Sequence, residues 1–219
     1  MLIERREYAF RPGGLQGFLD AQSMLGFDAA RRPTLGRLIG YFVDGDTVVH
    51  YWRFDSYDDW MARLHRRDPE REPYFRKVRP LMLAQENRFL LPAPHPELTP
   101  LWGNGNDWLP GAAPVADLAA HPELLVEERI LDFDPGALPG AWDALRALPV
   151  GERLLACFYT LVGRQHEIVL LHWHADRAAC GGHAAGLRPI ESLAVKSATR
   201  IMAPAPLAPM SPLFRPASG

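Results

Sequence analysis

The chain has 219 residues, 47% of them hydrophobic and 23% charged, with a formal net charge of -2. These values exclude a wholly disordered chain and leave no basic field to hold nucleic acid or an anionic membrane. Two cysteines, Cys157 and Cys180, exclude a disulfide scaffold and fit a reduced, cytoplasmic setting. The charged start MLIERREY does not read as a signal peptide, and the apolar runs are too short for a membrane helix.

In chain order, Ile3 to Phe10 reads as a strand, and Pro12-Gly13 turns the chain. Apolar side chains at Leu15, Phe18, Leu19 and Leu25 predict a helix. Leu38 to Val43 and Val48 to Phe54 predict two strands, joined by an Asp44-Gly45-Asp46 hairpin. Ser56 is the expected N-cap of a helix through Trp60 and Leu64, which Pro69 and Pro73 break. Tyr74, Val78, Leu81 and Met82 predict that the helix restarts, and Arg88 to Leu91 a closing strand. Residues 92–122 hold seven prolines together with Trp102 and Trp108. They predict an ordered strap with turns at Asn104-Gly105 and Asn106, not a long helix or central strand. Beyond it, Leu138, Ala141, Trp142, Leu145 and Leu148 follow helical spacing. The tail from Ala203 is proline-rich again and is expected to run extended over the surface.

The segments on either side of the strap repeat each other. ERREYAFRPGGLQGFLDA from Glu4 and EERILDFDPGALPGAWDA from Glu127 agree at half of their positions. The match resumes at Arg37–Phe42 against Arg153–Phe158, and at Trp52 and Asp55 against Trp173 and Asp176. It resumes again at Arg79-Pro80 against Arg188-Pro189, and at Arg88 with Pro92-Ala93-Pro94 against Arg200 with Pro204-Ala205-Pro206. On this alignment Leu171 stands where His50 does, and Cys157 where Tyr41 does. The element order βαββαβ, twice, predicts an α+β fold of two ferredoxin-like units. The expected division is residues 1–94, a strap at 95–123, a diverged second repeat at 124–206 and a tail at 207–219.

Three stretches carry a family resemblance: IERREYAFRPGGL, GYFVDGDTVVHYWRFDSYDDW and YFRKVRPLMLAQENRFLLPAP. They resemble the NIPSNAP family, strongly over Ile3 to Pro94, and through the repeat weakly over Leu125 to Pro206. The resemblance implies a dimeric α+β barrel, in which two ferredoxin-like sheets join around a shared cavity. It implies no particular reaction, since that wider fold hosts monooxygenases, haem-degrading enzymes, isomerases and plain binding proteins. An open apolar sheet face is unstable in water. A homodimer or larger homo-oligomer is therefore expected, with the barrel formed within one chain or between chains.

Glu4, Arg6, Tyr8 and Phe10 share one face of the first strand, and Glu127 and Arg129 repeat the charged pair. Glu4, Arg6 and Tyr8 either line the barrel cavity as ligand-binding residues or, for the charged pair, form an ion-pair ladder that fixes the fold. His50 and Trp52 share a strand face, with Tyr51 and Arg53 pointing the other way. His50 is the candidate catalytic residue, as a general base or a metal or haem ligand, with Tyr41 supplying a hydroxyl and Trp52 a ligand contact. The alternative is a buried, hydrogen-bonded histidine. His172 and His174 form an i, i+2 pair that is a candidate metal site if His166, His183 or Asp176 completes it; otherwise they lie on a solvated outer face. Cys157 reads as core, and Cys180 is a candidate for an activated thiol only through a Cys-x-x-His contact with His183, with no second supporting residue. The run Arg63, His65, Arg66, Arg67, Arg71 and Arg76 reads as a solvated helix face. No Walker loop, G-x-G-x-x-G, H-E-x-x-H or G-x-S-x-G occurs. Two functions compete: small-molecule binding in the barrel cavity, and a monooxygenase- or isomerase-type enzyme, haem- or metal-assisted, that uses His50. No cofactor is named by the sequence.

Overall fold

A computed structural model describes residues 1–24, 37–64, 72–98, 116–148, 153–205 and 214–215. The first repeat runs β1 (Leu2–Phe10), α1 (Gly14–Met24), β2 (Arg37–Asp44), β3 (Thr47–Phe54), α2 (Tyr57–Leu64), α3 (Glu72–Val78) and β4 (Met82–Pro92). Between the repeats lie a 3-10 turn at Pro96–Leu98 and the short β5 (Ala116–Asp117). The second repeat runs β6 (Leu125–Asp132), α4 (Leu138–Ala147), β7 (Leu154–Val162), β8 (Glu167–His174), α5 (Arg177–Gly186), α6 (Arg188–Glu191) and β9 (Lys196–Pro204). In the tail, β10 (Phe214–Arg215) pairs parallel with β5. The turns at Asn104 to Asn106, Trp102, Trp108, Leu25, Pro69 and the charged residues 65–68, 70 and 71 lie outside the described residues.

Eight strands close one barrel in the order β1-β3-β2-β9-β6-β8-β7-β4, antiparallel throughout. Each repeat supplies a four-stranded sheet with the ferredoxin-like order, and of the two expected arrangements, a barrel within one chain or between chains, the structure has the first. The two seams match at the residues they share, and the β4–β7 seam runs on further than the β2–β9 one. Phe42 faces Pro204 across one, and Phe158 faces Pro92 across the other. The Ala205 amide donates to the Tyr41 carbonyl at 2.9 Å, and the Ala93 amide donates to the Cys157 carbonyl at 2.9 Å. Gly13 and Gly136 close the same turn with φ of 76° and 88°, a region that a Cβ disfavours. The irregularity at Leu38/Gly40 recurs at Leu154/Ala156.

Three apolar clusters set the layers. The barrel interior is filled by Ile3, Phe42, Tyr51 and Leu90 of the first repeat against Val126, Phe158, Leu171 and Met202 of the second. A second cluster packs Tyr8, Phe10, Trp52 and Phe54 against Phe18 and Ala21 of α1 and Val78 of α3. A third does the same in the second repeat, with Leu131, Cys157 and Leu170 against Trp142, Leu145 and Ile190. Strand alternation sends odd and even residues of β1 to opposite sides, so each sheet has one face in the barrel and one under helices.

Three local expectations are corrected. The predicted helix through Leu81 and Met82 ends at Val78; a 3-10 turn at Arg79–Leu81 follows, and β4 begins at Met82, six residues before the expected strand start at Arg88. The stretch Leu83–Asn87 is exposed, so no alternation marks it as a strand, while backbone pairing with β1 holds it. Pro73 does not break a helix: it sits second in α3, where its missing N–H is no loss. The repeat alignment in β3 and β8 slips by one residue. Arg6 faces His50 and Glu4 faces Trp52, whereas Arg129 faces Leu170 and Glu127 faces His172. The structural counterparts are therefore His50 with Leu170 and Trp52 with His172. A one-residue slip moves a side chain to the other sheet face, and Trp173 accordingly packs against the barrel cluster while Trp52 packs under helices.

Candidate functional site

Glu4, Arg6, Tyr8, Tyr41, His50 and Trp52 do converge, but not in the barrel. All six stand on the outer face of the first sheet, and Tyr8, Tyr41 and Trp52 join the cluster packed against α1 and α3. The expectation that they line the barrel cavity is corrected: that interior belongs to the odd residues of β1 and to Tyr51.

His50 is 4% exposed and sits in an aromatic box. Its ring centroid lies 4.3 Å from Tyr41, 5.3 Å from Tyr8, 6.1 Å from Trp52 and 6.3 Å from Phe18. The Trp52 Nε1–H donates to His50 Nδ1 at 3.4 Å. Burial, with the Arg6 guanidinium adding to it, pushes the His50 imidazole well below the ordinary histidine range, so the ring is neutral at pH 7. With Nδ1 accepting, the proton sits on Nε2, and that donor has no hydrogen-bond partner among the described residues. His50 is poised as a donor, with no free lone pair toward the box.

The polar rim is a short chain. The Tyr41 hydroxyl donates to Gln22 Oε1, and Gln22 Nε2 donates to the Tyr74 hydroxyl at 3.2 Å. Burial and then Tyr74 push the Tyr41 phenol well above its usual range, so it keeps its proton. Glu4 accepts from Asn87 Nδ2 at 2.6 Å and pairs with Arg6 at 2.7 Å. Sequence reading missed Gln22, Tyr74 and Asn87. Gln22 left a signal: it is one turn beyond Phe18, a polar residue in an otherwise apolar helical stripe.

In the second repeat the equivalent layer is built differently. Leu170, His172 and Cys157 replace His50, Trp52 and Tyr41. His172 and His174 are fully buried, which overturns the solvated outer face. Their side chains share the helix-facing side, and His174 Nε2 lies 3.1 Å from Glu127 Oε2. Arg129 Nε donates to Glu127 Oε1 at 2.9 Å, so the charged pair recurs as an ion pair within one strand in both repeats. Among the described residues no group of three His, Cys, Asp or Glu side chains is placed to hold a metal ion. The His183 side chain lies outside those described. Asp176 instead caps α5, accepting from the Ala179 amide at 2.9 Å. Burial pushes both the Cys157 and Cys180 thiols up, the opposite of activation.

The NIPSNAP family model matches residues 3–96. A NIPSNAP family protein from Agrobacterium tumefaciens is 34% identical, over 42% of this chain and 92% of its own, with a TM-score of 0.39. A NIPSNAP-like domain protein from Burkholderia xenovorans is 37% identical, over 42% of this chain and 84% of its own, with a TM-score of 0.37. The chain belongs to the NIPSNAP family. Its NIPSNAP match spans the first repeat. A candidate monooxygenase from Lactobacillus acidophilus NCFM is only 8% identical but covers 92% of each chain with a TM-score of 0.58, which shows the same fold. No curated protein matches the chain. No helix among the described residues is long and apolar enough to cross a membrane.

Proposed function

We propose that this NIPSNAP protein binds a small, planar, largely apolar molecule in the layer between the first sheet and helices α1 and α3. The observation that carries the reading is the unmet N–H of His50. A buried donor without a partner costs about 1–3 kcal/mol, and native proteins keep such groups chiefly where something else pairs with them. The aromatic box supplies stacking surfaces, and His50 Nε2 supplies one hydrogen bond to an acceptor such as a carbonyl oxygen. The second repeat, with Leu170 at the same place, offers no such donor there.

A second reading is oxidation or isomerisation of the bound molecule. It draws on the candidate monooxygenase and on an anthrone oxidase-like protein of the same fold, 9% identical with a TM-score of 0.52. On that reading His50 and the protonated Tyr41 stabilise charge that develops on a substrate oxygen.

Native mass spectrometry and the absorption spectrum of freshly purified protein test for a resident ligand; a Soret band would mark haem. A panel of aromatic ketones and quinones, read by tryptophan fluorescence and thermal shift, tests the donor. The expected result is a hit that His50→Leu abolishes and the exposed Arg76→Ala leaves intact. Equal shifts in parent and His50→Leu would overturn the reading.

A further inference from the structure

The repeats keep Glu4 and Arg6 as Glu127 and Arg129, yet the residue between them changes sign: Arg5 in the first, Glu128 in the second. Both are turned into the barrel, 1% and 2% exposed. They bond each other directly, Arg5 Nε to Glu128 Oε1 and Arg5 Nη2 to Glu128 Oε2, each at 2.8 Å. Two repeat-equivalent residues in contact must straddle the pseudo-two-fold axis that relates the repeats.

We propose that Arg5 and Glu128 form a pairing code that makes each half of this barrel accept the other half and reject a copy of itself. A barrel of two first halves sets Arg5 against Arg5 on the axis, and a barrel of two second halves sets Glu128 against Glu128. At this depth water cannot screen either pair. The surroundings are also built once only. The Tyr51 hydroxyl donates to Glu128, where the second repeat has Leu171. Glu7 pairs with Arg5 at 2.8 Å and with Arg200 at 2.9 Å, where the second repeat has Ile130. Arg88, the counterpart of Arg200, turns instead to Glu167 at 2.9 Å. The charges balance only when one half of each kind is present. The code favours closure within the chain over assembly of like halves from different chains.

Charge reversal in the full chain tests it. Arg5→Glu and Glu128→Arg should each lower the melting temperature by roughly 10 °C, from the breaking of a buried ion pair. The double reversal should recover half of that loss or more. Co-expression of the two single variants under different tags is the decisive arm. One carries two carboxylates and the other two guanidinium groups, so each half finds its complement only in the other chain. The tagged pair should co-purify several-fold more than either variant with itself, and melt above both. This arm reads out even if each variant alone is insoluble. The proposal is overturned if either single variant melts with the parent, if the double reversal is no more stable than the singles, or if mixed tags associate no more than like ones.

Discussion

His50 is where burial, tautomer and pH meet. Its folded-state pKa lies below the unfolded value of about 6.5, so below that pH the unfolded chain binds more protons than the folded one. Stability is therefore present in full above about pH 6.5 and falls as the pH drops toward the folded-state pKa, by up to about 1.4 kcal/mol per pH unit. His50→Leu should flatten denaturation midpoints across that window, while changing stability at pH 8 by no more than about 1 kcal/mol. Leu170 already occupies the equivalent place. Unfolding in urea at several pH values checks both statements. Gly40 gives a second test at this scale. A Cβ there would lie 2.6 Å from the fully buried Phe42 ring, so Gly40→Ala should lose about 1–3 kcal/mol by overpacking.

Among the elements, α2 rests on little of its own. It has no fully buried side chain and holds the sheet through Trp60, whose ring centroid is 4.8 Å from that of Phe89. Its first turn depends on Ser56, whose Oγ accepts from the Asp59 amide at 3.1 Å. Ser56→Ala should cost about 1 kcal/mol and lower the melting temperature by a few degrees, while Ser56→Asp should keep most of it. This cap was legible in the sequence because the hydroxyl acts on its own neighbourhood. The start of β4 was not. Leu83–Asn87 show no alternating pattern because neither face is covered, and only the β1 backbone across the sheet makes them a strand.

For the whole molecule, acid should act through the barrel. The Arg5 guanidinium holds Glu128 below the usual carboxylate range against the opposing effect of burial, and Arg200 and Arg5 do the same for Glu7. Carboxylates with depressed pKa values contribute stability that is present above the unfolded value of about 4.3 and is lost as pH falls through the folded one. Cooperative acid unfolding is expected below about pH 4, with both repeats melting together because β4–β7 and β2–β9 make them one sheet. Circular dichroism and tryptophan fluorescence should trace coincident transitions. Two separated transitions would contradict the single barrel.

Sequence alone determined the repeat, the βαββαβ order, the family and the strand residues that meet around His50, but not Phe18, Gln22 and Tyr74, which the helices bring to them. What it determined follows from local spacing, turn residues and matched blocks, which each segment carries by itself. Tertiary structure decided which way those strand residues face. Strand alternation divides Arg5 from Arg6 and His50 from Tyr51, but it does not say which face looks into a barrel and which under a helix. It also decided the β8 register, where the matched Trp52 and Trp173 misled by one residue and the pairing of Glu127 with His172 corrected them. Finally, it decided that Arg5 meets Glu128. Their equivalence was written in the repeat, but contact between them exists only once the axis relating the repeats passes through the barrel.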